Sequence, residues 1–267
     1  MIVQDDRIAA VFERARRERR AALIVYLMAG DPDLETTART IDAVSAAGAD
    51  LIELGIPYGD PLADGPTVAA AGQRALHAGA TIRGALDIVA GATARGAAPL
   101  LFFTYVNPVA QYGPAAFAAA ARNAGAVGAI VPDVPLEEID AFAPAFRAEG
   151  LALPLLVAPT TPPARAAQIA ARSDGFIYLV SRLGVTGARR EPDIGWIEDA
   201  VARLRTATTK PVAVGFGIST PAHVRAVAAV ADGVIVGSAL IDAMYGRNGV
   251  SAAHAAEAYV ASLRAAL

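Results

Sequence analysis

The sequence predicts an α/β fold whose strands form one parallel sheet. Two observations predict it: eight short apolar runs recur along the chain, and longer alanine-rich amphipathic stretches separate them. Each run has about the length of a strand, and the stretches between them have helical patterning. The runs span residues 22–29, 50–55, 99–105, 126–131, 153–158, 175–181, 211–215 and 233–236. Eight strands that alternate with helices favour a closed (β/α)₈ TIM barrel, and an open doubly wound sheet remains the alternative.

Start and stop signals bound several of the predicted helices. Residues 34–47 follow an Asp-Pro-Asp segment and stop at Gly48, so both ends are marked. Residues 81–95 also stop at a glycine, and residues 222–231 open after Ser-Thr-Pro, which supplies a cap and a proline near the first turn. Residues 1–20 predict an extra N-terminal helix across the N-terminal end of the barrel. We interpret its clustered arginines as a solvated helix face; they are Arg16, Arg17, Arg19 and Arg20.

Composition excludes several classes of protein. The 267 residues carry a net charge of −3 and include no cysteine, which excludes disulfides, thiolate metal sites and cysteine nucleophiles. No basic tract suits nucleic acid. No uncharged apolar run reaches the ~18 residues of a membrane span, and the N-terminus lacks the apolar segment of a signal peptide. We therefore expect a cytoplasmic protein with one barrel domain over residues 1–267 and with neither a nucleic-acid nor a membrane partner.

Glu53 is the first candidate for chemistry. Strand residues alternate faces, and Ile52 and Leu54 suit the side that faces the helices. Glu53 then points into the barrel near the C-terminal end of its strand, where barrels of this kind carry their active sites. An apolar interior raises the pKa of a carboxyl group, which suits proton transfer near neutral pH. The alternative is a glutamate held in a structural hydrogen-bond network.

The loop after this strand adds two more carboxylates, Asp60 and Asp64, between prolines and glycines that fix its turns. Either aspartate could instead only cap a turn.

Glycines end the last two predicted strands, at Gly215-Phe216-Gly217 and at Gly237-Ser238. Barrels often bind phosphate with these two loops and an extra helix N-terminus, although tight turns alone would also need glycine. The long polar segment 181–192 could close over a ligand, or it could be an inert loop.

Lysine and histidine are scarce. A Schiff-base lyase needs a lysine in the site, and Lys210 lies at the start of the seventh strand, which is the wrong end of the barrel. A zinc lyase needs clustered histidines, and His77, His223 and His254 all fall in helical stretches. Lyase or isomerase chemistry in this chain must therefore depend on carboxylates, tyrosine hydroxyls and electrostatics.

Seven segments, in order and over nearly the whole chain, resemble the signature of the tryptophan synthase alpha subunit family. The longest is LIELGIPYGDPLADGP at residues 51–66. The others are GDP at 30–32, YVNP at 105–108, VPDVP at 131–135, SRLGVTG at 181–187, GFGIS at 215–219 and GSA at 237–239.

The resemblance implies a lyase that cleaves indole-3-glycerol phosphate by a retro-aldol reaction, giving indole and glyceraldehyde 3-phosphate in tryptophan biosynthesis. It implies that Glu53 is the general acid/base, that Asp64 holds the indole N–H and stabilises its developing positive charge, and that Tyr178 lies near Glu53. The same resemblance implies a group of substrate-binding residues. Its indole-pocket members are Tyr26, Phe103, Ile130 and Phe216, its lid member is Thr186, and its phosphate-binding members are Gly187, Gly217, Gly237 and Ser238.

The resemblance also implies a partner. Family members form an alpha2beta2 heterotetramer in which indole passes through a tunnel to a pyridoxal-phosphate beta subunit, so this chain itself would hold no cofactor and no metal. Pro57, Tyr58 and Asp60 lie on the loop that meets the beta subunit in the family. A stand-alone lyase and a mainly regulatory partner are the alternatives, and the retained Glu53 and Asp64 disfavour the second. A different phosphosugar isomerase is a further alternative, which the scarcity of lysine and histidine disfavours.

Three residues depart from the family pattern. Ala69 stands where glutamine is common, Tyr26 where phenylalanine is frequent, and Phe103 in a position that is often aliphatic. Glu53 and Asp64 are unaffected, so these departures concern the shape of the pocket and the coupling to a partner.

Overall fold

The computed structural model describes residues 7–181 and 192–267, which form a barrel of parallel strands surrounded by helices. The strands are β1 (Ala22–Met28), β2 (Leu51–Gly55), β3 (Leu100–Phe103), β4 (Gly128–Ile130), β5 (Leu155–Val157), β6 (Ile177–Val180), β7 (Val212–Gly215) and β8 (Gly233–Val236). They pair in the order β4-β3-β2-β1-β8-β7-β6-β5. A parallel bridge between Gly128 and Ala152 joins the two ends of this order and closes the sheet. The predicted (β/α)₈ barrel is confirmed, and the open sheet is wrong.

Helices connect successive strands and cover the outside of the barrel. Within the described ranges they are α1 (Arg7–Arg17), α2 (Leu34–Ala46), α3 (Pro66–His77), α4 (Ile82–Ala94), α5 (Val106–Tyr112), α6 (Pro114–Ala124), α7 (Ile139–Ala148), α8 (Pro163–Arg172), α9 (Ile194–Ala207), α10 (Pro221–Ala228), α11 (Ser238–Met244) and α12 (Gly249–Arg264). None of these helices combines the length and apolarity that a bilayer crossing requires.

Strand alternation positions the interior residues. All seven residues of β1 are buried, as expected for a parallel strand covered on both faces. Ile52 and Leu54 belong to the cluster between sheet and helices, whereas Leu51 belongs to the barrel interior. Glu53 therefore faces inward, and the register sets it opposite Tyr26 of β1. The predicted orientation of Glu53 follows directly from the two-residue period of the strand.

The N-terminal helix α1 covers the N-terminal end of the barrel, as predicted, although it ends at Arg17 and not at Arg20. Residues 1–6 of the predicted helix lie outside the described residues. Ile8, Val11 and Phe12 join the interior cluster, and the rings of Phe12 and Phe176 lie 5.6 Å apart. Within residues 7–181 and 192–267, apolar packing thus closes this end of the barrel.

The interpretation of the arginine cluster as a solvated face is wrong for one member. Arg16 and Arg17 are exposed, but the side chain of Arg20 is only 6% exposed and donates to the buried Asp50. Asp50 also accepts from the backbone N–H of Leu23 at 2.9 Å. Burial raises the pKa of Asp50, but the bonds from Arg20 and Leu23 outweigh burial and leave it below its usual range. Arg20 follows the helix rather than lying on it, so helical periodicity gave no information about it.

The only lysine of the chain, Lys210, makes hydrogen bonds that stabilise the fold. Lys210 Nζ donates to the carbonyl oxygens of Ala170, Ala171 and Ser173 at 2.9, 3.2 and 2.5 Å. These carbonyls end α8, where a cation interacts favourably with the helix dipole. Lys210 precedes β7, so it lies at the N-terminal end of the barrel, as the sequence predicted.

The buried hydroxyl of Thr104 leads to a prediction about stability. Its hydroxyl is fully buried, and no group of the described residues bonds to it. Because a buried hydroxyl without a partner is unfavourable by about 1–3 kcal/mol, Thr104→Val is expected to raise the free energy of unfolding by about 1 kcal/mol. Urea denaturation of both proteins measures this difference. A clear loss of stability in the valine variant would mean that the hydroxyl has a partner.

Candidate active site

A cavity opens at the C-terminal ends of the strands. Two carboxylates, two tyrosines and the glycines after β7 and β8 line it together with apolar side chains. The lining residues are Tyr26, Glu53, Ala63, Asp64, Val68, Phe103, Tyr178, Phe216, Gly217, Ile218, Ile235, Gly237 and Ser238. Apolar walls with a few polar groups are typical of small-molecule sites.

Glu53 lies at the base of this cavity. It is 1% exposed, between Tyr26 on β1 and Leu101 on β3 in the strand register. No group of the described residues donates a hydrogen bond to its Oε1 atom. Burial raises the pKa of Glu53 to about 8, so the carboxyl group is mostly protonated near neutral pH. A residue that titrates so close to neutrality can both give and take a proton.

Two tyrosine rings flank Glu53. Tyr178 packs edge-on against Phe216 at 5.9 Å, and Tyr26 packs edge-on against Phe103 at 5.7 Å. Burial raises the pKa of both tyrosines, and the charge of Glu53 raises it further. Both hydroxyls therefore keep their protons and act as hydrogen-bond donors in the cavity.

Asp64 enters the cavity from the loop after β2. Burial raises its pKa, and a hydrogen bond from the hydroxyl of Tyr105 opposes this effect. The same hydroxyl accepts from the backbone N–H of Ala63 at 3.0 Å. Tyr105 in turn packs on Tyr58 at 5.6 Å between ring centroids, and Asn107 Nδ2 donates to the Tyr58 hydroxyl at 2.9 Å. The loops after β2 and β3 are thus joined, and their joint geometry holds Asp64 in the cavity.

The loops after β7 and β8 meet on the opposite wall. Phe216 and Gly217 have φ values of 74° and 79°, in the region that disfavours side chains. The Ser181 hydroxyl donates to the carbonyl oxygen of Phe216, which holds this unusual turn. Gly237 precedes α11, whose first residue is Ser238. Gly217, Gly237 and Ser238 all line the cavity, which brings the two predicted phosphate loops together.

Most of the predicted site residues that the structure describes therefore lie in one place, and Ile130 and Asp60 do not. Ile130 is fully buried in the barrel interior and does not line the cavity. Thr186 and Gly187 lie outside the described residues. Asp60 is exposed on the loop after β2, so of the two aspartates considered there, only Asp64 reaches the cavity.

Sequence reasoning missed several residues of the site. The apolar lining residues Val68, Ile218 and Ile235 have no signal of their own, because their chemistry is that of any core residue. Tyr105 could have been found, since it is the last residue of the third predicted strand and the first residue of the YVNP segment. Its role depends on the contact between two loops, which sequence spacing does not specify.

The histidines do not form a metal site with other described residues. His77 is exposed, and its Nδ1 atom lies 2.7 Å from the carbonyl oxygen of Gln73. His223 Nδ1 lies 3.5 Å from the Ser219 hydroxyl. Within residues 7–181 and 192–267 no three His, Asp or Glu side chains form a group that could hold a metal ion.

Comparisons with known proteins identify the family of this chain. The family model described as tryptophan synthase alpha chain matches residues 12–266. The alpha chain of Gloeobacter violaceus is 51% identical over 88% of this chain and 85% of its own length, and that of a Synechococcus species is 47% identical over 98% of both. A tryptophan synthase structure from Mycobacterium tuberculosis superposes with a TM-score of 0.90 at 37% identity over 97% of both chains. The alpha subunit of Legionella pneumophila gives 0.88 at 33% identity, again over 97% of both. The chain therefore belongs to the tryptophan synthase alpha chain family, the lyase that cleaves indole-3-glycerol phosphate in tryptophan biosynthesis.

Proposed function

We propose that Glu53 is the general acid/base of this cleavage. The observation that carries the proposal is a fully enclosed carboxyl group, without a donor to Oε1 among the described residues and with a pKa of about 8, at the base of the cavity. Protonated Glu53 gives its proton to the indole carbon that bears the side chain. The resulting carboxylate then takes the proton of the side-chain hydroxyl, and the carbon–carbon bond breaks. Its electron pair returns to the indole ring, and the former hydroxyl carbon becomes the aldehyde.

Asp64 and Tyr178 assist in this proposal. Proton transfer to the ring carbon leaves a positive charge that is shared with the indole nitrogen, and the Asp64 carboxylate accepts the indole N–H and stabilises that charge. Tyr178 shares the cavity wall with Glu53, and its hydroxyl stays protonated. It donates a hydrogen bond that stabilises the carboxylate form of Glu53 after the first proton transfer. Tyr26, Phe103 and Phe216 supply the apolar walls for the indole ring, and Thr186 remains a proposed lid residue.

The phosphate group is assigned in this proposal to the loops after β7 and β8. Gly217, Gly237 and Ser238 line the cavity there, and backbone N–H groups near a helix start bind anions well. Gly187 keeps its proposed role in the same group. Ile130 keeps its proposed place near the indole pocket, from within the barrel interior.

Gly237→Asp tests the phosphate site. A Cβ atom at Gly237 would lie 3.4 Å from Tyr26 Cβ, so the new carboxylate would enter the cavity wall. Like charges in contact cost several kcal/mol, so the KM for indole-3-glycerol phosphate is expected to rise by about tenfold or more. Steady-state kinetics measures it, with Ala10→Asp as the control. Ala10 is exposed on α1, at the other end of the barrel. An unchanged KM in the Gly237 variant would mean that phosphate binds elsewhere.

We also propose that a tryptophan synthase beta subunit binds beside the cavity, in an alpha2beta2 heterotetramer. Leu62 is 71% exposed on the loop that carries Pro57, Tyr58 and Asp60, and this loop leads to Asp64 in the cavity. A partner that covers Leu62 can therefore reach the catalytic loop directly. In this arrangement pyridoxal phosphate belongs to the beta subunit, and this chain holds no cofactor.

The experiment that tests the partner is the cleavage rate of the purified chain with and without the beta subunit of the same organism. We expect a large rate gain with the partner, and Leu62→Glu is expected to abolish that gain. Val250 is also exposed, at 55% on α12, so Val250→Glu is the matched control and should keep the gain. The absence of any gain in the unmodified chain would favour a stand-alone lyase instead.

Two further expectations stay predictions. A cytoplasmic location is tested by fractionation of the source cells. A single domain over residues 1–267 is tested by limited proteolysis and by a single unfolding transition in urea.

A further inference from the structure

The hydroxyl of Tyr26 has a weak hydrogen-bond partner. Tyr26 is 7% exposed, and its hydroxyl lies 3.9 Å from the thioether sulfur of Met28. A thioether is a weak acceptor. A phenol hydroxyl in an apolar cavity normally has an oxygen or nitrogen partner, so the contact with Met28 leaves most of the donor capacity of Tyr26 unused.

The position of this hydroxyl is fixed by its surroundings. The Tyr26 ring lies over Gly55, where any side chain would collide with the hydroxyl and the ring. Its Cβ and Cγ atoms lie beside Gly237, and Phe103 packs edge-on against the ring at 5.7 Å. The ring therefore crosses the cavity from the loop after β8 to the end of β2. The hydroxyl lies where β2 ends, at the base of the loop that carries Asp64.

Asp64 has fewer described hydrogen-bond donors than its carboxylate can accept. Its recorded donor is the Tyr105 hydroxyl, while a carboxylate can accept about four hydrogen bonds. Burial raises the pKa of Asp64, and a ligand in the cavity would exclude more water and raise it further. The proposed role of Asp64 needs the charged form. A second donor would keep that form populated, because a hydrogen bond to the carboxylate favours it.

Electrostatics connect the two groups. Burial is the largest cause of the raised pKa of Tyr26, and the charge of Asp64 is the next. The other titratable groups that act on Tyr26 or Asp64 from the surrounding elements are Tyr105, Glu53, Asp31 and Tyr178. None of these four groups is a cation.

We propose that Tyr26 is a positioning residue whose hydroxyl donates a hydrogen bond to the Asp64 carboxylate when substrate fills the cavity. The inference rests on the proposed role of Asp64 in the cleavage. Substrate excludes water from Asp64, and the Tyr26 hydroxyl exchanges its thioether contact for a carboxylate oxygen. Tyr26 then acts together with Tyr105, so that two phenol hydroxyls keep Asp64 ionised opposite the indole nitrogen.

The test is the pH dependence of kcat for Tyr26→Phe at saturating indole-3-glycerol phosphate, which reports groups in the enzyme–substrate complex. Loss of a donor raises the pKa of Asp64, so the acid limb should move to higher pH by about half to one unit. At a pH below the limb, kcat should fall about three- to tenfold relative to the unmodified chain. On the plateau the loss of kcat should be smaller than below the limb, because Asp64 is ionised there in both proteins. Tyr105→Phe is expected to move the limb in the same direction.

Two controls separate this inference from its basis. Tyr178→Phe removes a hydroxyl of the same cavity that faces Glu53, so its acid limb should not move to higher pH even though its rate falls. Asp64→Asn shows whether the limb belongs to Asp64: a limb that persists in its residual activity refutes both the role of Asp64 and the positioning by Tyr26. A Tyr26→Phe variant whose rate falls equally at every pH, or whose KM alone rises, refutes the positioning role only.

Discussion

Glu53→Gln is expected to abolish cleavage while leaving substrate binding within a few-fold. The amide keeps the size of the side chain, but it can neither give a proton to the indole carbon nor take one from the hydroxyl. General acid–base groups contribute about 10² to 10⁴ in rate. Among the described residues, Glu53 is the single carboxyl group on a barrel strand that lines this cavity. We therefore expect kcat to fall by about 10³ or more.

The measurement combines turnover with equilibrium binding of indole-3-glycerol phosphate by calorimetry. Retained binding shows that the cavity is intact, so the loss of rate is then chemical. Substantial turnover by the glutamine variant would remove Glu53 from the mechanism.

The same substitution has a consequence for stability, with a sign that follows from the raised pKa. The pKa of Glu53 is about 8 in the folded chain, against 4.5 for an unperturbed glutamate. The folded state therefore binds more protons than the unfolded state between these values, and stability falls as pH rises through this window. Each unit is worth about 1.4 kcal/mol for a single group. The contribution of Glu53 to the free energy of unfolding is complete below pH 4.5 and lost above about pH 8.

Glu53→Gln removes this dependence. Urea denaturation at several pH values should show that the variant gains stability over the unmodified chain as pH rises, by several kcal/mol near pH 8.5. An identical pH dependence in both proteins would contradict the raised pKa. The enzyme thus keeps in its interior a group that lowers its stability at high pH, which is a common property of catalytic carboxyl groups.

Local patterns predicted the alternating strands and helices and the inward direction of Glu53. The two-residue period of β2 places Glu53 inside because Ile52 and Leu54 must face the helices. The sequence also excluded a Schiff-base lysine, because the only lysine, Lys210, precedes β7 and so lies at the N-terminal end of the barrel. These conclusions need only the direction of a side chain or the end of a strand, and both are local properties.

Contacts between separate segments could not be predicted in this way. The bond from Tyr105 to Asp64 depends on how the loops after β2 and β3 approach each other. The burial of Arg20 depends on Asp50, thirty positions further along the chain. Arg20 and Asp64 lie in segments with the composition of exposed segments, and the tertiary fold sets the surroundings of both side chains.

The second large expected effect comes from removing the negative charge of Asp64. Asp64→Asn is expected to lower kcat by about 10² to 10³, the usual loss when one charge-stabilising group is removed from an active site. Asparagine can still accept the indole N–H through its amide oxygen, so ground-state binding should change less than the rate. It carries no negative charge, however. The carboxylate that Glu53 becomes after the first proton transfer is the base that must take the hydroxyl proton, so it does not replace Asp64 at the indole nitrogen.

The matched control for the loss of one negative charge is Asp87→Asn, an exposed aspartate on α4. Its rate should stay normal, because exposed charges at a distance are screened by salt. Steady-state kinetics of both variants gives kcat and KM separately. A near-normal kcat for Asp64→Asn would mean that the ring charge is stabilised by another group, and a loss confined to KM would mean that Asp64 binds the ground state and transition state equally. A loss confined to kcat identifies Asp64 as a group that acts after the proton of Glu53 has reached the indole ring.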